Sequence, residues 1–562
     1  MIHSLRPHIV LALLLCVLCI DICVADAASP AAPAAVIEPS LYSPEDNVQI
    51  LNNDTLEEHL YNSSTCNFVQ FINYFCGDCR RYAHTFKQIA WRLYDWRRLL
   101  TVSVVDCAQE RNVQICRDYN IRQTPTLRLF PPHFQRNEQQ IGFDVDPHEP
   151  AAIYTKLAEY MAQIKYTPEL PNFEPITATD NQLTLQKSVD YCNTISYIVL
   201  VYQPVGTTIG RDLIFELLRW PIVAVRQLDD QLLFTNFGLE PSAKLALIDC
   251  GGNALALQPV ADTTEAYVAS VTKYLQTVGH MAEPQLVTTP APNVTKFSLD
   301  GEQAAIISTV LHGQPKVYRA DLEQAIDKLL HIELPKVQVF KGENMLALQQ
   351  LLKVLRLFNP LNASGKQLIN RLSDFVNSID ASGELSGVAF QMQVENHERK
   401  LPKVFKSKRY VGCIASGPFL RGFTCSLWTL FHYLTVESAK STDLPPGAVL
   451  ATIHGFAKHF FGCGDCVQHF MGMAERRKLF EVKNADEQIL WLWEAHNEVN
   501  ERIAGDSTED PKFPKLQYPS QELCEKCHNP TWNRKEVLEF LKSVYDKKNL
   551  SSYGLPTPMG YD

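Results

Sequence analysis

The chain has 562 residues, 46% hydrophobic and 20% charged, which is enough for several domains, each with its own core. A formal net charge of −10 gives no electrostatic reason to expect nucleic acid or an anionic membrane as a partner. Sixteen cysteines are many for a cytosolic protein.

The first residues account for the cysteines. Arg6 and His8 precede an apolar run from Ile9 to Ile20, and small residues follow at Ala25, Ala27 and Ala28. This is the pattern of a secretory signal peptide over residues 1–27, which predicts a lumenal or secreted mature chain where disulfides persist. No later stretch reads as a membrane span. N-x-S/T triplets at Asn53, Asn62, Asn293, Asn362 and Asn549 are candidate glycosylation acceptors in that compartment. Removing Cys16, Cys19 and Cys23 with the signal leaves thirteen cysteines. Spacing allows six pairs: Cys76–Cys79, Cys107–Cys116, Cys192–Cys250, Cys413–Cys425, Cys463–Cys466 and Cys524–Cys527. Cys66 falls outside this scheme; it precedes an apolar strand and reads as a buried, inert thiol.

Residues 28–42 are rich in Ala and Pro and read as a linker. A domain over 43–167 follows. It has a strand at Phe68–Ile72, then Cys76-Gly77-Asp78-Cys79, then a helix with Tyr82, Phe86, Ile89, Ala90 and Leu93 at helical spacing. A strand at Thr101–Val105, the Cys107/Cys116 segment, Thr124-Pro125 and a strand at Leu127–Phe130 complete it. Residues 168–282 repeat the strand-and-helix pattern without a C-x-x-C; Ser196–Tyr202 and Lys244–Ile248 read as buried strands, and a spacer role is expected. From 283 to 400 a Pro/Thr-rich linker leads into helices at Tyr318–Leu330, Met345–Phe358 and Leu368–Ile379. Their leucine stripes read as packing.

The last domain, 401–548, carries Phe461 to Phe470, FGCGDCVQHF, which repeats the Cys-Gly-Asp-Cys of residues 76–79. Two thiols at this spacing can close a ring across a helix N-terminus, where the dipole favours thiolate and disulfide exchange. Around this motif, Trp428 and His432 fall one turn apart, as do His496 and Asn500, with Trp493 and Asn497 close by. Aromatic faces with fixed polar groups suit a planar, polar-edged cofactor. A third pair, Cys524–Cys527, precedes His528, Asn529 and Pro530 and reads as a structural staple in a turn; residues 549–562 form a tail.

The segment from strand to Thr124-Pro125 resembles a thioredoxin domain, in which the Thr-Pro bond is cis and faces the active disulfide; this assigns Pro125. Secretory relatives of that family usually read Trp-Cys-Gly-His-Cys, whereas Phe75 and Asp78 stand here. A carboxylate between the thiols disfavours thiolate, which implies a milder oxidant. The segment 168–282 is similar to a second, redox-silent thioredoxin-like domain. Arg421–Val436, Phe461–Phe470 and Trp493–Pro514 resemble the flavin-binding helices of Erv-type sulfhydryl oxidases. Together these features resemble the quiescin sulfhydryl oxidase family: two thioredoxin-like α/β domains, a helical region and a C-terminal helical bundle holding FAD.

That resemblance implies FAD contacts at Arg421, Trp428, His432, Asp465, His469, Trp493, His496, Asn497, Asn500 and Lys515, with Tyr518 where relatives often carry Trp. It implies catalytic roles for Cys76, Cys79, Cys463 and Cys466, and structural bridges at Cys107–Cys116, Cys192–Cys250, Cys413–Cys425 and Cys524–Cys527. It implies a relay from dithiols of reduced secretory proteins through Cys76–Cys79 to Cys463–Cys466, then FAD, then dioxygen, with hydrogen peroxide released. A monomer without a metal, acting in the Golgi or endoplasmic reticulum lumen or outside the cell, is expected. Two rivals are a four-thiolate zinc site from Cys463, Cys466, Cys524 and Cys527, and an isomerase-like binding protein whose last domain has lost flavin.

Overall fold

Two α/β units and a large helical body make up the protein in a computed structural model describing residues 40–137, 139–146, 148–164, 171–188, 192–284, 299–380, 383–528 and 531–556. The expected signal peptide, most of the 28–42 linker, Asn293 and the end of the tail lie outside the described residues.

The first unit is a five-stranded sheet in the order Gln49–Leu51, Leu100–Asp106, Cys66–Ile72, Thr126–Phe130, Phe143–Asp144. Its central strand, Cys66–Ile72, is buried throughout because both faces are covered, and it is apolar except for the buried amides Asn67 and Gln70. It pairs parallel with Leu100–Asp106 and antiparallel with Thr126–Phe130. Cys66 is its first residue and is fully buried. The second unit repeats that order with four strands: Val223–Leu228, Tyr197–Tyr202, Leu245–Asp249 and Ala254–Leu257. Its neighbours pair parallel, antiparallel and antiparallel, as in the corresponding part of the first sheet. The two units are pinned together by Trp96 against Phe215, ring centroids 4.5 Å apart, and by Arg98 on Glu283 at 2.9 Å.

The helical body opens with Gly301–His312 and Arg319–Lys328 and continues through Gly342–Leu357, Ala363–Asn377 and Gly387–Glu398. The sequence pattern marks neither the first nor the last of these five. The helices Gly422–Ser438, Ala448–Phe460, Gly464–Arg476 and Ala485–Ile503 follow. Leu322, Leu348, Leu352, Leu368 and Phe390 from the earlier set share one hydrophobic core with Phe423, Leu430, Ile453 and Leu492 from the later set. The stretch expected to be a linker plus packing helices is therefore half of the body that carries the second C-x-x-C. No helix of the described residues is long and apolar enough to cross a membrane.

Disulfides join Cys107–Cys116, Cys192–Cys250, Cys413–Cys425, Cys463–Cys466 and Cys524–Cys527. Cys76 and Cys79 are thiols. Asn362 is corrected as a glycan acceptor: it is 2% exposed, its amide nitrogen donates to Val404 O at 2.8 Å, and its Oδ1 caps a helix by accepting from Gly365 N. The folded chain has no room for a sugar there. Asn62 and Asn549 are exposed and Asn53 is half-buried.

Candidate active site

Both Cys-Gly-Asp-Cys motifs sit at helix starts. Cys76 is the N-cap of Gly77–Leu93 and Cys463 that of Gly464–Arg476, both with extended backbone. An interior Gly and an Asp in the first turn suit that place, because the Asp charge complements the positive end of the helix dipole. The fold brings the two starts together, with Cys76 Sγ 2.8 Å from Cys463 Sγ.

Backbone pairing sets this approach. Thr124 and Cys463 form a parallel bridge in which Thr124 N donates to Gly462 O at 3.0 Å and Gly464 N donates to Thr124 O at 3.3 Å. The Thr124 hydroxyl and the Asn73 amide also donate to Gly462 O, at 2.8 and 2.9 Å. Gly462 N donates to Glu333 Oε2 at 3.0 Å, and buried Lys336 holds Glu333 at 2.7 Å. The Thr124–Pro125 peptide is cis, as is Tyr518–Pro519.

Hydrogen bonding from Cys79 holds the Cys76 thiol below its ordinary range, while burial pushes Cys79 well above its own. Asp78 pushes Cys76 up, the direction expected from the sequence. Its influence is smaller than that of the Cys79 hydrogen bond, burial and the two backbone N–H groups, so Cys76 is the sulfur poised to ionise.

Cys466 faces the other way, into a cavity of about 480 Å³. Of the expected cofactor contacts, Arg421, Trp428, Asp465, His469, His496, Asn500, Lys515 and Tyr518 line it. His432, Trp493 and Asn497 do not. Trp493 Nε1 and Asn497 Nδ2 donate to Tyr518 O, the latter at 2.9 Å, and Asn497 Oδ1 accepts from Tyr518 N at 2.8 Å. They set the backbone that presents Tyr518. His432 lies behind His496, ring nitrogens 3.1 Å apart, with burial holding it down to about 3 and therefore neutral. Trp428 stacks on His496, centroids 4.3 Å apart and planes 8° from parallel.

Flat apolar walls and cations for a diphosphate are what a flavin dinucleotide requires. Phe431, Phe456 and Phe461 add apolar wall beside Trp428. Burial holds the Lys515 ammonium down to about 8 and the Arg421 guanidinium down to about 10. Among the described residues no carboxylate lies within ion-pair distance of the Lys515 ammonium, and Arg421 Nε is buried without a hydrogen-bond partner. Arg421 Nη2 donates to Gly412 O at 2.6 Å, and its free Nε and the Lys515 ammonium along the cavity wall fit an anionic ligand group.

The rival zinc reading fails on covalent grounds, since the four sulfurs it needs are tied up as Cys463–Cys466 and Cys524–Cys527. Cys527 instead packs with Trp493, Val537 and Leu541 in a small core.

The thioredoxin family matches residues 47–146, the FAD-dependent sulfhydryl oxidase family 313–416 and the Erv1/Alr family 425–519. The chain is 33% identical to sulfhydryl oxidase 1 of Gallus gallus over 92% of its own length and 70% of that protein's. The chain belongs to the sulfhydryl oxidase family. It is a flavin-linked thiol oxidase whose cofactor is FAD. Sulfhydryl oxidase 1 of Homo sapiens is 31% identical over 92% of this chain and 69% of that one. Among solved structures the chain is similar to the sulfhydryl oxidase fragment of human QSOX1, at 35% identity over 43% of this chain and 99% of that chain, with a TM-score of 0.39. The FAD-dependent sulfhydryl oxidase match falls on the helices whose leucine stripes signal packing, and continues past residue 400.

Sequence reasoning missed several residues of the sulfhydryl oxidase site. Phe75, Gly77 and Arg80 of the first unit reach the cavity wall. Glu333 and Lys336 come from a region that gave no chemical signal. The Arg80-Arg81 pair did carry one: two cations soon after a helix start gain little from their own helix and imply acceptors elsewhere.

Proposed function

We propose that this sulfhydryl oxidase makes disulfides in proteins of the secretory pathway by passing electrons from substrate dithiols through Cys76–Cys79 to Cys463–Cys466, then to FAD in the cavity and on to dioxygen. One observation carries the reading: Cys463 meets Cys76 at 2.8 Å while its partner Cys466 faces the cavity.

The internal step balances within the four sulfurs. Cys76 thiolate attacks Cys463 Sγ; the Cys463–Cys466 bond breaks and its electron pair leaves on Cys466. Cys79 then gives up its proton and attacks Cys76 Sγ, which releases Cys463 as thiolate. The Cys76–Cys79 dithiol is oxidised to a disulfide and the Cys463–Cys466 disulfide is reduced to a dithiol. The chemistry FAD supplies, when bound, is acceptance of the electron pair from the Cys466 sulfur and its delivery to dioxygen, released as hydrogen peroxide. Trp428 and His496 would give the ring system a flat wall, and Lys515 and Arg421 would hold the diphosphate. His432, Trp493 and Asn497 hold those contacts in place. Cys76 is fully buried where it meets Cys463, so a substrate dithiol reaches it only when the first unit has moved away from the second motif.

The remaining features complete the proposal. Residues 1–27 direct the chain to the secretory lumen, where it acts as a monomer, in the Golgi or after secretion. Its domains run 43–167 and 168–282, followed by a helical body in which 283–400 and 401–548 share one core. Cys107–Cys116, Cys192–Cys250, Cys413–Cys425 and Cys524–Cys527 are structural. Asn53, Asn62 and Asn549 are the acceptors among the described residues that suit glycosylation.

An absorbance spectrum followed by oxygen uptake on adding a reduced protein tests the reading. Flavin bands with uptake that is abolished by both Cys76→Ser and Cys463→Ser are expected. A colourless protein with no uptake overturns it.

A further inference from the structure

Two helices meet end to end at the site. The first turn of each carries an Asp, Asp78 and Asp465, beside the cysteine that caps it. Each carboxylate suits its own helix, but docking brings two like-charged dipole ends and two like-charged side chains together. One side chain answers both. Arg81 Nη2 lies 2.9 Å from Asp465 Oδ2 and 3.6 Å from Asp78 Oδ1, and its Nη1 lies 3.3 Å from Asp506 Oδ2. Asp465 is shared with Arg502 at 3.5 Å and His469 at 3.2 Å. The neighbouring Arg80 donates to Phe419 O at 2.7 Å and Thr508 O at 3.2 Å on the same facing surface.

We propose that Arg81 is a charge latch, a positioning residue whose guanidinium bridges the two Cys-Gly-Asp-Cys motifs and holds Cys76 on Cys463 during the internal exchange. The inference rests on the relay described above. When the first unit moves away to accept a substrate, Arg81 keeps only Asp78, its neighbour one turn back on the same helix, and gives up Asp465 and Asp506. The latch therefore exists only in the docked arrangement. Its side chain is 31% exposed and those of Asp465 and Asp506 are 23% and 21% exposed, so salt reaches the bridge and weakens docking. A bridge held too tightly would keep Cys76 from its substrate, and half-exposed ion pairs of modest strength suit a contact remade at each turnover.

The test is turnover of a reduced protein dithiol by the FAD-loaded full chain, followed by oxygen uptake from low to high ionic strength. Arg81→Ala is expected to lower kcat about three- to tenfold at low salt and to flatten its salt dependence. Arg81→Lys restores most of the rate and the salt dependence. Asp506→Asn lowers kcat less, and adds nothing in the Arg81→Ala background because its partner is already gone. Wild-type rate and salt dependence in both Arg81→Ala and Asp506→Asn overturn the latch. A slowed Arg81→Ala with undiminished salt dependence, unimproved by Lys, also overturns it, because the loss is then one of packing. Cys76→Ser separates the levels: if that variant is inactive while Arg81→Ala behaves as wild type, the latch alone falls, whereas an active Cys76→Ser overturns the relay and the latch with it.

Discussion

Gly462 is where a single methyl group should uncouple the two redox motifs. Its carbonyl accepts from Thr124 N, Thr124 Oγ1 and Asn73 Nδ2, and its N–H donates to Glu333. A Cβ at this position would lie 2.4 Å from Asn73 Nδ2, 3.2 Å from Lys336 Nζ and 3.5 Å from Glu333 Oε2. Asn73 is short and fully buried, so it cannot swing aside and keep its bond. Losing one buried hydrogen bond and leaving its donor unsatisfied costs about 1–3 kcal/mol. That cost belongs to the docked arrangement, because Asn73 and Gly462 lie on opposite sides of the contact. It converts to a roughly 5- to 150-fold slower transfer from Cys76 to Cys463 in Gly462→Ala. Stopped-flow mixing of the FAD-loaded protein with a reduced protein dithiol, without oxygen, reads this as the rate of flavin bleaching. Flavin content and bleaching by concentrated dithiothreitol acting directly on Cys463–Cys466 report whether the second motif itself is intact. Bleaching by the protein dithiol within twofold of wild type would refute the claim that the Gly462 contact couples the two motifs.

Other consequences are open to simpler assays. Burial holds Lys515 down to about 8, below its ordinary value, so the unfolded chain binds the extra proton between about pH 8 and the ordinary lysine range, and this group's contribution makes the apoprotein more stable as pH rises through that window. The affinity for FAD moves the opposite way, falling above about pH 8 as the cation that meets the diphosphate is lost, and Lys515→Met removes that dependence; fluorescence titration at several pH values reads both. In Gly387→Ala the new Cβ would lie 1.9 Å from Val337 O and 2.8 Å from Pro335 O, backbone atoms that cannot step aside, so about 1–3 kcal/mol of stability is lost and thermal unfolding shifts down. Asn362→Gln removes a buried helix cap worth about 1 kcal/mol and leaves the glycan mass unchanged, which mass spectrometry of protein from a glycosylating host checks against a denaturant midpoint.

What the sequence disclosed was the chemistry that repeats or has a fixed local spacing. Cys76–Cys79 and Cys463–Cys466 are each three residues apart and each opens a helix, so a local pattern suffices for them. The strand, helix and Thr124-Pro125 order likewise lies within one α/β unit. Trp428, His496 and Asn500 could be read because one turn of helix puts such residues on a common face. For His432, Trp493 and Asn497 the same logic gives a face without a depth. They sit on the same helices at plausible spacing, but helical periodicity gives an angle and not a depth, and these three stand behind the wall. Glu333 gave no signal because it contacts a backbone N–H 129 residues away, and no periodicity spans that distance. The leucine stripes of the helices around it signal packing, and they pack into the core shared with the later helices. Arg81 is the intermediate case. Its sequence neighbours show the local partner Asp78 one turn back, while Asp465 and Asp506 lie 384 and 425 residues along the chain. The repetition of Cys-Gly-Asp-Cys was therefore more than two copies of a redox unit. Each copy contributes a carboxylate that Arg81 reaches across the contact, so the feature most legible in the sequence points to the interface least legible in it.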